Sequence, residues 1–333
     1  MPPSSPFAVV LNANARKVNE QVVETLAELV SPDDIFYSAS AEDSRIITGK
    51  ILERGYPTVF TGGGDGTVVE FINQMLRATP DMDERPSVGI LRLGTGNALA
   101  EMVSSGSYLV DIRSFVENSH RDYHPLHLVQ AEGSYFPFGG LGADAELLND
   151  YRAMKAATDG TFVAPALSSV GGYFVALFAR TVPRRIGATF TGKQMEVTVR
   201  TRGRRAVLLG EGGAEERRFG AGDLLYEGPA TMVMVGTCPF YGYGLKALPY
   251  ADRSPDAMHL RVVQLGFPGI LGNLPSLWKG TYESARILDF LVDHVELETA
   301  KPEPYQRAGD AAGYRQNLEL ALSQATINLI RFI

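Results

Sequence analysis

Four short apolar runs in the first hundred residues alternate with four stretches of helical periodicity, and this alternation limits the fold more than any other feature. Phe7 to Leu11, Ile35 to Ala39, Thr58 to Phe60 and Val88 to Leu91 have strand length and strand composition. Between them, Val18, Val22, Val23, Leu26, Leu29 and Val30 follow helical spacing, as do Ile46, Ile47, Ile51 and Leu52 before Gly55. Val68, Phe71, Ile72, Met75 and Leu76 mark a third helix, and Leu99 to Val103 a short fourth. Strands joined by helical crossovers run parallel, with helices on both faces. Ligands of such sheets bind beyond the carboxyl ends of the strands.

After about Tyr123 the texture changes. His127 to Ala131, Tyr135 to Phe138, Met195 to Arg200, Ala206 to Leu209, Thr231 to Val235, His259 to Val263 and Val295 to Leu297 are short runs punctuated by Gly and Pro. They predict an antiparallel, β-rich second domain. Helical inserts are expected near Leu167 to Ala179 and Leu274 to Val292, and a strand of either domain over Ala325 to Phe332. The expected division is residues 1–122 as an α/β nucleotide-binding domain and 123–314 as a β-rich domain of β-sandwich type that takes the acceptor, with 315–333 free to return to the first.

With 45% hydrophobic and 21% charged residues the chain is neither disordered nor fibrous. One cysteine, Cys238, excludes an intrachain disulfide and leaves a cysteine-based zinc site without ligands. Net charge of -7 argues against nucleic acid as a partner. From Arg180 to Arg218, however, ten basic residues face four acidic ones, which permits a local basic surface. No run approaches the ~18 apolar residues of a membrane span. The start, Met1 to Pro6, does not read as a signal peptide. A cytoplasmic location is expected, with any membrane met peripherally, on its inner face.

The sharpest motif is Thr61-Gly62-Gly63-Gly64-Asp65-Gly66-Thr67, set between a predicted strand and a predicted helix. Glycines there let a ligand approach the backbone, and the amides opening a helix attract anions. A carboxylate in such a loop repels phosphate unless a divalent cation or a transferred proton balances it, so Asp65 points to phosphoryl transfer. The plain alternative is a tight turn with Asp65 as a helix cap. A second loop, Gly94-Thr95-Gly96-Asn97, follows the next strand and opens the next helix. Two such loops on consecutive strands fit a nucleotide, and neither has the Walker or Rossmann pattern.

On these residues the chain resembles the diacylglycerol kinase catalytic-domain superfamily, which includes bacterial lipid kinases, sphingosine kinases and ceramide kinases. Its Gly-Gly-Asp-Gly-Thr signature falls on Gly63 to Thr67, followed by Glu70 and Asn73, and its Gly-Thr-Gly-Asn signature on Gly94 to Asn97. The resemblance implies ATP and Mg²⁺, held by Gly62, Gly63, Gly64, Gly66, Thr67, Glu70, Gly94, Thr95, Gly96 and Asn97, with Asp65 catalytic and directed at the metal. Asn12 is what remains of the family's N-terminal Asn-Pro-x-Ser-Gly nucleotide segment. Gly140 to Ala145 is similar to the family's lipid-site segment and places Asp144 at the substrate. Asp256 stands at the position of a structural Mg²⁺ ligand, with Ala257 where glycine is usual. Asp310 matches the aspartate of an Asp-Gly-Glu motif proposed as a base, but Ala311 follows and the glutamate is missing. Ala98-Leu99-Ala100 after the second loop is similar to the sphingosine kinases.

Other features have two readings each. Arg180, Arg184 and Arg185 follow an apolar run and form either a membrane-facing patch or the solvated end of a buried helix. Cys238 and Trp278 read as packed residues. His120, His124 and His127 are interrupted by Pro125, against a metal site. The expected function is an ATP-dependent lipid kinase acting on a diacylglycerol, ceramide or sphingoid hydroxyl. Its partner is a lipid substrate at a membrane surface, with a homodimer left open. The alternatives are a nucleotide- or lipid-binding protein without kinase activity and an NAD kinase-like enzyme.

Overall fold

Asn19 and Ser40 open the first two helices by the same device. Asn19 Oδ1 accepts from the Val22 amide at 3.0 Å, ahead of α1 (Glu20–Ala27), and Ser40 Oγ accepts from the Asp43 amide at 3.1 Å, ahead of α2 (Ala41–Arg54). Gly55, at φ 69°, closes α2 in the left-handed conformation that glycine adopts without strain. These helices connect β1 (Ala8–Asn12), β2 (Ile35–Ser38) and β3 (Thr58–Gly63). Then follow α3 (Asp65–Ala78), β4 (Ser87–Arg92), α4 (Ala98–Met102) and α5 (Tyr108–Glu117). The computed structural model describes residues 6–15, 17–79, 85–94, 96–118, 121–146 and 194–332.

The chain divides into two compact units. The first comprises the residues up to 137 together with 238–245 and 323 onward. Its strands run in the order β2-β1-β3-β4, all parallel. The chain leaves β1 toward one side of the sheet and β3 toward the other. The crevice beyond the ends of β1 and β3 is therefore the topological switch point, where open α/β sheets bind ligands. The core beneath it is apolar and aromatic. Phe7, Phe60 and Phe115 meet edge to face with centroids 5.0 to 5.4 Å apart, packed among Val9, Leu11, Leu26, Leu91 and Ile112.

β5 (Asp122–Ala131) and β6 (Ser134–Phe136), which the sequence assigns to the second domain, lie in the first unit. Asn73 on α3 explains the attachment. Its side-chain amide donates to the Tyr135 carbonyl at 2.7 Å and accepts from the Tyr135 amide at 2.8 Å, so a side chain takes the place of a strand partner.

The second unit is antiparallel. β7 (Phe138–Gly142) pairs with β12 (Met232–Gly236), which pairs with β13 (Met258–Val263), then β14 (Ile287–Val292) and β9 (Ala206–Leu209). β8 (Met195–Thr201) pairs with β11 (Leu224–Ala230), and β10 (Glu215–Arg218) lies at the edge beside β9. A long hairpin, β15 (His294–Arg307) and β16 (Asp310–Arg331), joins β7 to β8, and the last residues of β16 return to the first unit beside β4. The mixed class expected from the sequence is thus observed: a parallel N-terminal sheet with helices and an antiparallel C-terminal part.

One expectation is corrected. Leu274 to Val292 is not one helix. Helix α6 (Phe267–Gly272) and helix α7 (Leu274–Trp278) are single turns, and Ile287–Val292 is strand β14 between β13 and β9. A short run that is apolar except for Asp289 and mostly buried has no period to separate it from a helix. The other expected insert, Leu167 to Ala179, lies outside the described residues.

The second unit is anchored by a buried polar triad. Asp289 lies 2.8 Å from His259 Nε2 and accepts from Arg261 at 2.6 and 3.0 Å, while Arg261 also donates to the Ala247 carbonyl. The Tyr250 amide lies 3.4 Å from His259 Nδ1, on the opposite side of the ring from Asp289. Burial lowers the His259 pKa, outweighing the attraction of Asp289. Burial alone would raise Asp289, but its bonds to His259 and Arg261 hold it well below the carboxylate range. The unfolded histidine titrates near ~6.5, so below that pH the unfolded chain takes up a proton that the native chain refuses. Stability is therefore expected to fall as pH drops from 7.5 to 5.5, by up to about 1.4 kcal/mol per pH unit. Urea midpoints at the two pH values check this, and His259→Gln should flatten the difference. An equal slope in wild type and variant would contradict it.

Candidate nucleotide site

β3 ends in the first glycine loop and β4 in the second, and the loops meet backbone to backbone. A Cβ on Gly94 would lie 2.5 Å from the Gly64 amide nitrogen and closer still to Gly63 O and Gly64 Cα, so only glycine fits. Asp65, the first residue of α3, reaches across the gap. Its Oδ2 accepts from the Ala98 amide at 2.9 Å and its Oδ1 from the Leu99 amide at 3.2 Å. Asp65 is indeed a cap, as the plain alternative held, but of α4 rather than of its own helix. Asn97, the residue before α4, turns its side chain the other way and donates to the Gly94 carbonyl at 2.8 Å, with its backbone at φ 50°. Asn is among the few residues that tolerate that conformation.

From β1, Asn12 Nδ2 donates to Thr67 Oγ1 at 2.8 Å, bridging the two strands of the switch point. Gly62 packs under Leu11 and Leu93, and Gly63 under the Thr67 side chain. Gly64, half-buried, and Gly66, exposed, stand at the start of α3, whose first amides have no partner within the helix. Glu70, one turn along, accepts from Gln74 at 2.7 Å. The structure therefore brings Asn12, Gly62 to Thr67, Gly94, Gly96 and Asn97 together in one unit. Thr95 lies outside the described residues, as do Arg180, Arg184 and Arg185.

The remaining site residues lie in the second unit. Asp144 follows β7 and accepts from Gln306 Nε2 at 3.1 Å, and Gln306 Oε1 accepts from the Gly309 amide at 3.0 Å. Gly309 forms with Ala308 the two-residue turn of the β15-β16 hairpin, both at positive φ, and exposed Asp310 opens β16 directly after it. Gln306, a residue the sequence gives no reason to select, thus ties Asp144 to the turn that precedes Asp310. Asp256 is exposed, with Arg205 Nη1 3.9 Å away. Among the described residues no group of three His, Cys, Asp or Glu side chains is placed to hold a metal ion.

A third element of the site is not legible in the sequence. Residues 238–245 leave β12 and pack in the first unit. The Tyr243 amide donates to the Gly96 carbonyl at 3.1 Å, and Cys238 Sγ lies 3.7 Å from the Ala98 carbonyl. Gly242, Tyr243 and Gly244 all have positive φ, at 95°, 53° and 75°, which for the tyrosine costs about 1–2 kcal/mol. The Gly-x-Gly of Gly242 to Gly244 signals a turn but not where that turn packs. Arg92, at the end of β4, pairs with Glu101 of α4 at 2.5 Å and sets a cation beside the second loop.

Two glycine loops thus meet at the carboxyl edge of the parallel sheet of an α/β domain. Residues 6–130 match the family model of the diacylglycerol kinase catalytic domain. Among solved structures, a diacylglycerol kinase from Bacillus anthracis str. Sterne aligns with a TM-score of 0.61 and 16% identity, covering 98% of this chain and 97% of that one. A second structure from the same organism, a candidate diacylglycerol kinase, aligns with the same TM-score, 17% identity and the same coverage. At these identities the likeness is one of fold. No curated protein matches the sequence.

Proposed function

We propose that the chain is an ATP-dependent lipid kinase that transfers the γ-phosphoryl group to a lipid hydroxyl. The observation that carries the reading is the Asp65 clasp, which ties two glycine loops together at the switch point. The amides of Gly64 to Gly66 and of the second loop would hold the phosphates. Asp65 fits a role beside Mg²⁺: two of its lone pairs hold α4 in place, and a carboxylate has roughly four. When bound, Mg²⁺ supplies charge neutralisation of the transferring phosphoryl group. The chain's own part is positioning, with Asp65 as the candidate acceptor of the hydroxyl proton. Asp310 is the candidate second carboxylate, Asp144 the head-group contact and Asp256 a candidate structural Mg²⁺ ligand.

Among the described residues no helix is long and apolar enough to cross a membrane. We place the acceptor at a membrane surface on chemical grounds: a lipid hydroxyl resides there. A second reading, nucleotide binding without transfer, draws on the engagement of both Asp65 oxygens by backbone amides. Incubation with γ-labelled ATP, Mg²⁺ and mixed micelles of diacylglycerol, ceramide or a sphingoid base separates the two. Label in the lipid phase is expected, and its absence with every acceptor while ATP still binds would favour the second reading.

A further inference from the structure

We propose that the left-handed turn Gly242–Gly244 is a third wall of the nucleotide site and that the Tyr243 ring contacts the bound nucleotide. The inference rests on the nucleotide reading above and adds a ligand contact from a distant part of the chain. The turn is closed by the Leu245 amide on the Gly242 carbonyl at 3.0 Å and the Tyr241 amide on the Leu245 carbonyl at 2.9 Å. It is pinned to the second glycine loop through the Tyr243 amide, and a Cβ on Gly242 would lie 3.4 Å from Gly96 Cα. On its other side Gly96 faces Asp65, since a Cβ there would lie 3.3 Å from Asp65 Oδ2. Asp65, Gly96 and Tyr243 therefore stand in a row along the loop where phosphates are expected.

The residue type is the informative part. Glycine would make the same backbone bond to Gly96 without strain, as its two neighbours do. A tyrosine is kept there at a steric cost, with 39% of its surface exposed. Strained non-glycine positions are retained where the surrounding structure enforces them, and they cluster at ligand sites. An aromatic ring held at a phosphate loop offers a face to a base and a hydroxyl to a phosphate.

Calorimetric titration of the full chain with ATP and Mg²⁺ tests the proposal. Tyr243→Gly removes the ring and relaxes the turn, and Tyr243→Asn removes the ring in a residue that tolerates the left-handed region. Each variant is expected to bind ATP about tenfold more weakly, within the range measured for loss of one base-aromatic contact. The melting temperature of Tyr243→Gly should stay at or above that of wild type, which a merely structural ring would not allow. Variants that bind ATP within twofold of wild type would overturn the proposal and leave the nucleotide reading intact. A wild-type chain that binds no ATP would overturn both.

Discussion

Gly94→Ala is expected to weaken ATP binding by roughly 5- to 150-fold, the equivalent of the 1–3 kcal/mol that overpacking costs. The added methyl would enter the backbone of Gly63 and Gly64, and backbone cannot rotate aside as a side chain can. Gly63 is itself held in register with Arg92 in the β3-β4 ladder, so the loops must part to make room. Gly96→Ala is the internal control, because its methyl would meet only the Asp65 carboxylate, at 3.3 Å. Its effect should be a few-fold at most. Calorimetry with ATP and Mg²⁺ checks the pair. Equal, small losses in both variants would mean that contact between the loops does not shape the site.

Asp65→Asn is expected to lower turnover at least ~100-fold, the lower range for losing a general base. The substitution keeps shape and removes charge. It also turns one acceptor oxygen into a donor facing the Ala98 or Leu99 amide, so about 1 kcal/mol of stability should go with the cap. The two effects are separable: the capping loss appears in the urea midpoint, the chemical loss in kcat. A folded variant with near-normal kcat would confine Asp65 to holding α4 in place.

The parallel half of the fold was legible because its signals are local. Helical spacing, Gly55 and the two glycine loops each lie within one segment, and the loops fall on adjacent strands β3 and β4. The sequence also singled out Asp65, but not that its carboxylate serves a helix thirty residues on. That bond depends on how two loops cross, which no spacing encodes. The 238–245 turn was missed for the same reason, and Gln306 because the side chain it meets, Asp144, is 162 residues away. Of the long β15-β16 hairpin only Val295 to Leu297 and Ala325 to Phe332 were legible, because its middle is charged and half-exposed, with no alternation of the kind that marks a half-buried strand. Ile287 to Val292 was misread for the opposite reason, being apolar at every position but Asp289.

Hydrogen exchange of the full chain with and without ATP and Mg²⁺ tests the central claim most directly, because it locates the nucleotide without reference to activity. Protection is expected together in three stretches: 60–68 after β3, 93–99 after β4, and 240–246. Protection confined to the second unit, or none at saturating ATP, would contradict the account.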